Sequence, residues 1–328
     1  MSPHNYLKTQ YIQAGIPSAT VGNFPRNMFQ SGGMLRRTIL GTGLGSLFSQ
    51  SLPQPARVLW TGSSSMYYHD MPLQVAGWLN RFGPKRRRYE SAIAGRSGSG
   101  IHVYLKPGSF KPEYGFLEGQ TFLEKIAAER NDFVVLQAVA EFISGPEGQD
   151  HASALGTYCD AIRKAGGEPA IYEMGWRAND GPGREQIRQA ARKWNVRTYA
   201  PCSTAWARVR AERPDLDLQI PPDRSHPGPL GHYLNLCCLF TAFAGTNPNV
   251  LPLDFPVWLP LDDAAKQLAE RKVSERGTTG IPYYDSLPRF LKRRSSMAQP
   301  FRLAPATGAY LQKVAWDCWR ESSQMGQH

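Results

Sequence analysis

No stretch of this chain approaches the ~20 consecutive apolar residues that a membrane-crossing helix needs, so no integral membrane segment is expected. Cysteine is sparse. Cys159, Cys202, Cys237, Cys238 and Cys318 show no metal-ligand spacing, and five is an odd number, which excludes a fully paired disulfide framework. They read instead as small buried apolar residues. Zinc-finger, ribonucleoprotein and basic-zipper patterns are absent as well. The net charge of +11, from 38 Lys and Arg against 27 Asp and Glu, could suggest a polyanion partner. The excess is clumped, however, at 85–88 and 292–294, and the first 56 residues carry four basic side chains and no acid. Such clumps read as solvated surface, and no nucleic-acid partner is expected.

What the chain does have is enough apolar content, 41% of 328 residues, for a substantial core. Residues 1–33 are polar with scattered Gly and Pro. Residues 34–56, "MLRRTILGTGLGSLFSQSLPQPA", present paired arginines, a short Gly-interrupted apolar stretch and a small-residue end. This resembles a twin-arginine export signal beginning at Met34, with cleavage near Ala56 and a periplasmic or extracellular product. Residues 1–56 are therefore set aside as a disordered extension; the alternative is a cytoplasmic protein with a long tail.

From residue 57 onward, short apolar runs alternate with amphipathic ones. Strands are expected at 57–61, 89–94, 132–136, 168–172 and 196–200, with helices at 120–130, 153–165, 184–194 and 229–244. Strands separated by helices of this length imply a three-layer α/β/α sandwich around a mostly parallel, about five-stranded, flavodoxin-like sheet, forming one domain over 57–328. Ligands of such sheets bind beyond the carboxyl ends of the strands.

Those ends carry the informative residues. After the first strand comes "TGSSSMYYHDMP", after the second "AGRSGSG" (94–100), and the third strand ends in "DFVVLQ", which places Gln137 at the rim. Then "DRSHPGPLGHYLNLC" sets Asp223 and His226 three residues apart, just before a helical run. Acyl transfer needs a hydroxyl nucleophile, a neutral imidazole to take its proton, a carboxylate to hold that imidazole and donors for the oxyanion. Each is available at an expected carboxyl-end loop.

With these blocks in this order, residues 57–246 resemble an SGNH (GDSL-like) hydrolase, in a subgroup with Gln in place of the usual Asn of the third block. The resemblance implies Ser64 as nucleophile, His226 as base and Asp223 as its orienter. It implies an oxyanion hole from the Ser64 N–H, the Gly98 N–H (Gly95 being the alternative) and the Gln137 side chain. "GGEPAIYEMGW" and "APCSTAWARVRAERPDLDL" resemble the same subgroup's fourth strand and its approach to the last block. Two positions depart from the pattern: Ser63 stands where the family has Asp or Asn, and Ala138 where the subgroup commonly has a polar residue.

The expected activity is a serine esterase acting on small acyl esters, with acetyl on carbohydrate as the substrate and neither cofactor nor metal required. A carbohydrate O-acyltransferase with the same triad is one alternative, and an inactive carbohydrate-binding or scaffold protein is another. Trp176 is a candidate for lining the substrate pocket, together with Gly95. His69 is expected on the helix leaving the nucleophile turn, at the surface or behind the site. Residues 277–302 interrupt the family-like pattern as a flap, an oligomer contact or an exposed connection, and "ATGAYLQKVAWDCWRE" should form a helix packed on the sheet.

Overall fold

Five of the apolar runs become the strands of one parallel sheet: β1 (Ala56–Thr61), β2 (Tyr89–Ile93), β3 (Phe133–Val139), β4 (Glu168–Met174) and β5 (Thr198–Ala200). Their spatial order is β2-β1-β3-β4-β5, all neighbours parallel. This is the flavodoxin-like order, in which the direction of winding reverses between β1 and β3. The computed structural model describes residues 54–84, 87–95, 98–105, 119–146, 148–176, 180–220, 226–258 and 298–324. The expected export signal at 34–56 therefore falls almost wholly outside the described residues, as does 277–297 of the atypical segment. β1 itself starts at Ala56, one residue inside the assigned extension. The Ala56 amide donates to the Arg88 carbonyl at 2.7 Å and its methyl group is fully buried.

A strand covered on both faces is buried at nearly every position and mostly apolar. β3 and β4 have six of seven residues buried in each, with Gln137 and Glu173 the polar ones among them. One set of side chains, including Leu59, Val134, Leu136 and Ile171, joins a core with Tyr104, Phe122, Leu155 and Tyr158. This face is covered by α3 (Phe122–Ala128), α5 (Gly148–Lys164) and α6 (Gly181–Lys193). The other face lies under α2 (Met71–Phe82), α7 (Cys202–Glu212), α8 (Pro229–Ala244) and α9 (Pro305–Gln324). Here Trp60 meets Phe243 of α8, and Asn235 of α8 donates to the Tyr172 hydroxyl at 3.3 Å. The four-residue helices α1 (Ser64–Tyr67) and α4 (Ala140–Ile143) follow β1 and β3 directly.

The element ends have local causes. α3 begins at a capping box, Glu124 N donating to Thr121 Oγ1 and Thr121 N to Glu124 Oε2. That pins its start two residues inside the expected one. α8 ends where Gly245 takes a left-handed φ of 64°, and its expected span is unchanged. β6 (Asp254–Val257) pairs antiparallel with β7 (Gln299–Arg302), so the described end of the atypical segment is a strand. Among the described residues no helix is long and apolar enough to cross a membrane.

Candidate active site

Three consecutive serines follow β1, and burial separates them. Ser63 and Ser65 are 7% and 4% exposed, whereas Ser64 is only half-buried. Ser64 is the first residue of α1, and its Oγ lies 2.9 Å from Nε2 of His226, which is 162 positions away in sequence. Of the three serines, Ser64 is the one described with its hydroxyl on an imidazole.

The turn that presents Ser64 is tightly packed. A Cβ on Gly62 would stand 2.3 Å from Gln137 Oε1 and 2.5 Å from Gln137 Cβ, so only glycine fits between β1 and β3 here. The Gly62 carbonyl accepts from the Tyr104 hydroxyl at 2.8 Å, and a Cβ on Gly95 would come within 2.5 Å of that carbonyl. Gly95 thus backs the turn that carries Ser64 by close approach. Gly98 has φ +67° and open space where a Cβ would be, a turn conformation that glycine reaches without strain.

Gln137 is not a strand-end residue as expected, because β3 continues to Val139. Thr61, the last residue of β1, pairs with Leu136, so Gln137 stands one step beyond the end of β1. Its Oε1 accepts from the Ser63 N–H at 2.5 Å, while its Nε2 is buried and has no hydrogen-bond partner among the described residues. A backbone N–H can only donate, which fixes the amide with oxygen toward Ser63. The unsatisfied end of this buried side chain is therefore a donor. Next to it, the departure at Ala138 has a packing reason: the side chain lies fully buried in the core of the opposite face.

His226 sits at the mouth of a return between two short antiparallel segments, held by Ile220 N to His226 O at 3.0 Å and Gly228 N to Leu218 O at 2.8 Å. Its expected orienter, Asp223, lies outside the described residues. The ring of Tyr68 stacks on the His226 imidazole, with centroids 4.3 Å apart and planes 19° from parallel.

Of the two places expected for His69, the surface and behind the site, the structure gives the second, and it corrects the helix: that helix stops at Tyr67, residues 68–70 form a kinked turn, and His69 is 1% exposed with φ 57°. Asp70 is left-handed too, at φ 57°. The His69 Nδ1 accepts from the Trp258 amide at 2.8 Å, which places the ring proton on Nε2, where it is donated to the Pro227 carbonyl at 2.8 Å. Behind it lies His232, with ring centroids 4.7 Å apart; burial first, then the nearby His69, pushes the His232 imidazole well below its ordinary pKa and keeps it neutral. Tyr68 and Trp258 carried no sequence signal as site residues. The sole hint was Pro72 in the first turn of α2, which marks a fresh helix start just after the kink.

Trp176 is 7% exposed and packs on Trp206 with centroids 4.1 Å apart, so most of its ring surface is used internally. An open cleft of about 800 Å³ lies between α5 and α6, lined by Gln149, Asp160, Gln189 and Trp194 among others. Ser64, Gln137, His226, Tyr68, His69, Gly95, Gly98 and Trp176 are not among its lining residues. Among the described residues no cluster of three or more His, Cys, Asp or Glu could hold a metal ion.

No protein-family model and no curated protein matches the chain. Solved structures similar to it include a candidate SGNH hydrolase from Slackia heliotrinireducens, 23% identical, with 59% of this chain and 100% of that one aligned at a TM-score of 0.45. Another is protein YxiM from Bacillus subtilis, 12% identical, with 58% of this chain and 56% of that one aligned at a TM-score of 0.43.

Proposed function

We propose that the chain is a serine esterase of SGNH type that hydrolyses small acyl esters, with acetyl groups on carbohydrate as the substrate class. The observation that carries the reading is the 2.9 Å contact between Ser64 Oγ and His226 Nε2 at the winding reversal of the sheet. Neutral His226 takes the hydroxyl proton as Ser64 attacks the acyl carbonyl, and the carbonyl electrons move onto oxygen. The unpartnered Gln137 Nε2, with the Ser64 and Gly98 amides, stabilises that oxyanion. The imidazolium then protonates the departing alkoxide, and water, deprotonated by the same ring, releases the acid and restores Ser64. Asp223 is assigned the role of holding the imidazolium.

A fluorophosphonate probe followed by peptide mapping tests this. Labelling is expected on Ser64, with loss of labelling and of acetyl-ester hydrolysis in Ser64→Ala. A label on Ser63 or Ser65 would shift the register, and a folded protein that takes no label would remove the esterase reading.

A further inference from the structure

Residues 68–70 have no part in that reaction, yet they form the surroundings of its base. The Tyr68 ring lies between the His226 imidazole on one side and Trp258, 5.1 Å away by centroid, on another. It reaches this place because the backbone after it turns through two consecutive left-handed residues, His69 and Asp70. Non-glycine residues avoid that conformation, and such residues persist only when their surroundings over-determine them.

The surroundings do so here. Gln74 Nε2 donates to the His69 carbonyl at 2.5 Å and to the Pro256 carbonyl at 2.9 Å, and Trp258 Nε1 donates to Asp70 Oδ2 at 3.3 Å. The two bonds of the His69 ring run to Trp258, just past β6, and to Pro227, the residue next to His226. The kink is thus fastened at once to the end of β6 and to the loop that carries the base.

We propose that Tyr68 is a positioning residue for His226, and that the left-handed kink at His69 and Asp70 is the device that lays it on the imidazole. The proposal takes from the preceding section that His226 is the base. Two physical effects follow from a stack at 4.3 Å. The phenol face blocks rotation of the imidazole away from Ser64. It also presents negative π density to the ring at the moment that ring becomes a cation, an attraction absent in the resting enzyme. The other titratable groups around the stack are His69, whose ring nitrogens are both engaged, Asp70, bonded to Trp258, and His232 behind His69. Tyr68 alone of these is described with its ring face on His226.

The test replaces Tyr68 while watching the base directly. By NMR, the titration midpoint of the His226 ring should stay near wild type in Tyr68→Phe. In Tyr68→Leu it should move to lower pH by about half a unit to one unit, the scale of a cation–π contact. The acid limb of kcat/KM should move with it, and the plateau should fall roughly 10- to 100-fold through lost orientation. Should Tyr68→Leu not fold, Tyr68→Phe carrying ring fluorines keeps the shape while draining the π face, and the midpoint should step down with each fluorine. An unchanged midpoint in the fluorinated series, or in folded Tyr68→Leu, overturns the proposal. Because the NMR midpoint needs no turnover, it decides on Tyr68 even if Ser64→Ala shows that the esterase reading is wrong.

Discussion

A single amide group, that of Gln137, shows how little freedom the site has at the scale of one residue. Its oxygen is committed to the Ser63 N–H, its Cβ is wedged against Gly62, and its nitrogen is left over. Buried donors are nearly always paired, so an orphan of this kind calls for an account, and a substrate oxygen supplies one. Gln137→Glu separates the two ends. The carboxylate can still accept from Ser63, whereas the donor is gone. If the donor serves the oxyanion, kcat should fall by ~10²–10³ with KM nearly unchanged, because the contact matters only as charge develops. Near-normal kcat would leave Gln137 as a strap for the turn. The places of Ser64 and Gln137 were legible in the sequence because each follows a run of apolar residues, and that of His226 because it stands just before a helical one. Tyr68 was not. Left-handed backbone is usually announced by glycine, and the kink here falls on His and Asp, which read as ordinary helix or turn residues.

One element borrows its cap from another. α7 starts after Pro201, which offers no side-chain acceptor, and the amide of Thr204 in its first turn donates instead to Glu173 Oε1 of β4 at 2.9 Å. The Thr204 and Tyr199 hydroxyls donate to the same carboxylate. A negative charge suits a helix N-terminus, and Arg188 and Arg184 favour it further. Complete burial opposes them and wins, raising the Glu173 pKa above its ordinary 4.5. A carboxyl whose pKa is higher folded than unfolded holds its proton longer in the native state, so its contribution is present below pH 4.5 and is lost as pH rises above it. Replacing it in Glu173→Gln should therefore help more at high pH: the variant's thermal midpoint, relative to wild type, should rise between pH 4.5 and pH 8. A constant offset across that range would contradict the assignment. α7 itself escaped sequence reading although Cys202, Ala205, Trp206 and Val209 line its buried face. Small and polar residues between them, with no Ser, Thr, Asp or Asn at the cap position, hide the start that a reader looks for.

Across the whole molecule, the sheet needs cover on both faces, and α9 brings one cover from the far end of the chain. Leu311, Val314, Ala315 and Cys318 are buried, and Gln312 Nε2 donates to the Tyr233 hydroxyl of α8 at 2.8 Å. Leu311→Ala should lower stability by about 2–5 kcal/mol in urea unfolding, while probe labelling of Ser64 in the folded fraction stays at wild-type rate; slowed labelling there would mean that α9 shapes the site. The helix was legible from its spacing of apolar residues, as was the alternation that builds the sheet. The pairing of β6 with β7 was not, because these strands are four residues each and lie far apart in sequence. The His69 bond to Trp258 spans 189 positions, and that span has a consequence in time. Ribosomes add ~5–20 residues per second, so Ser64 waits about 10–40 s in the nascent chain before the last fastening of the kink beside His226 exists. During that interval Ser64 stands without the finished surroundings of the imidazole it meets in the folded chain, and these wait until most of the chain has been made.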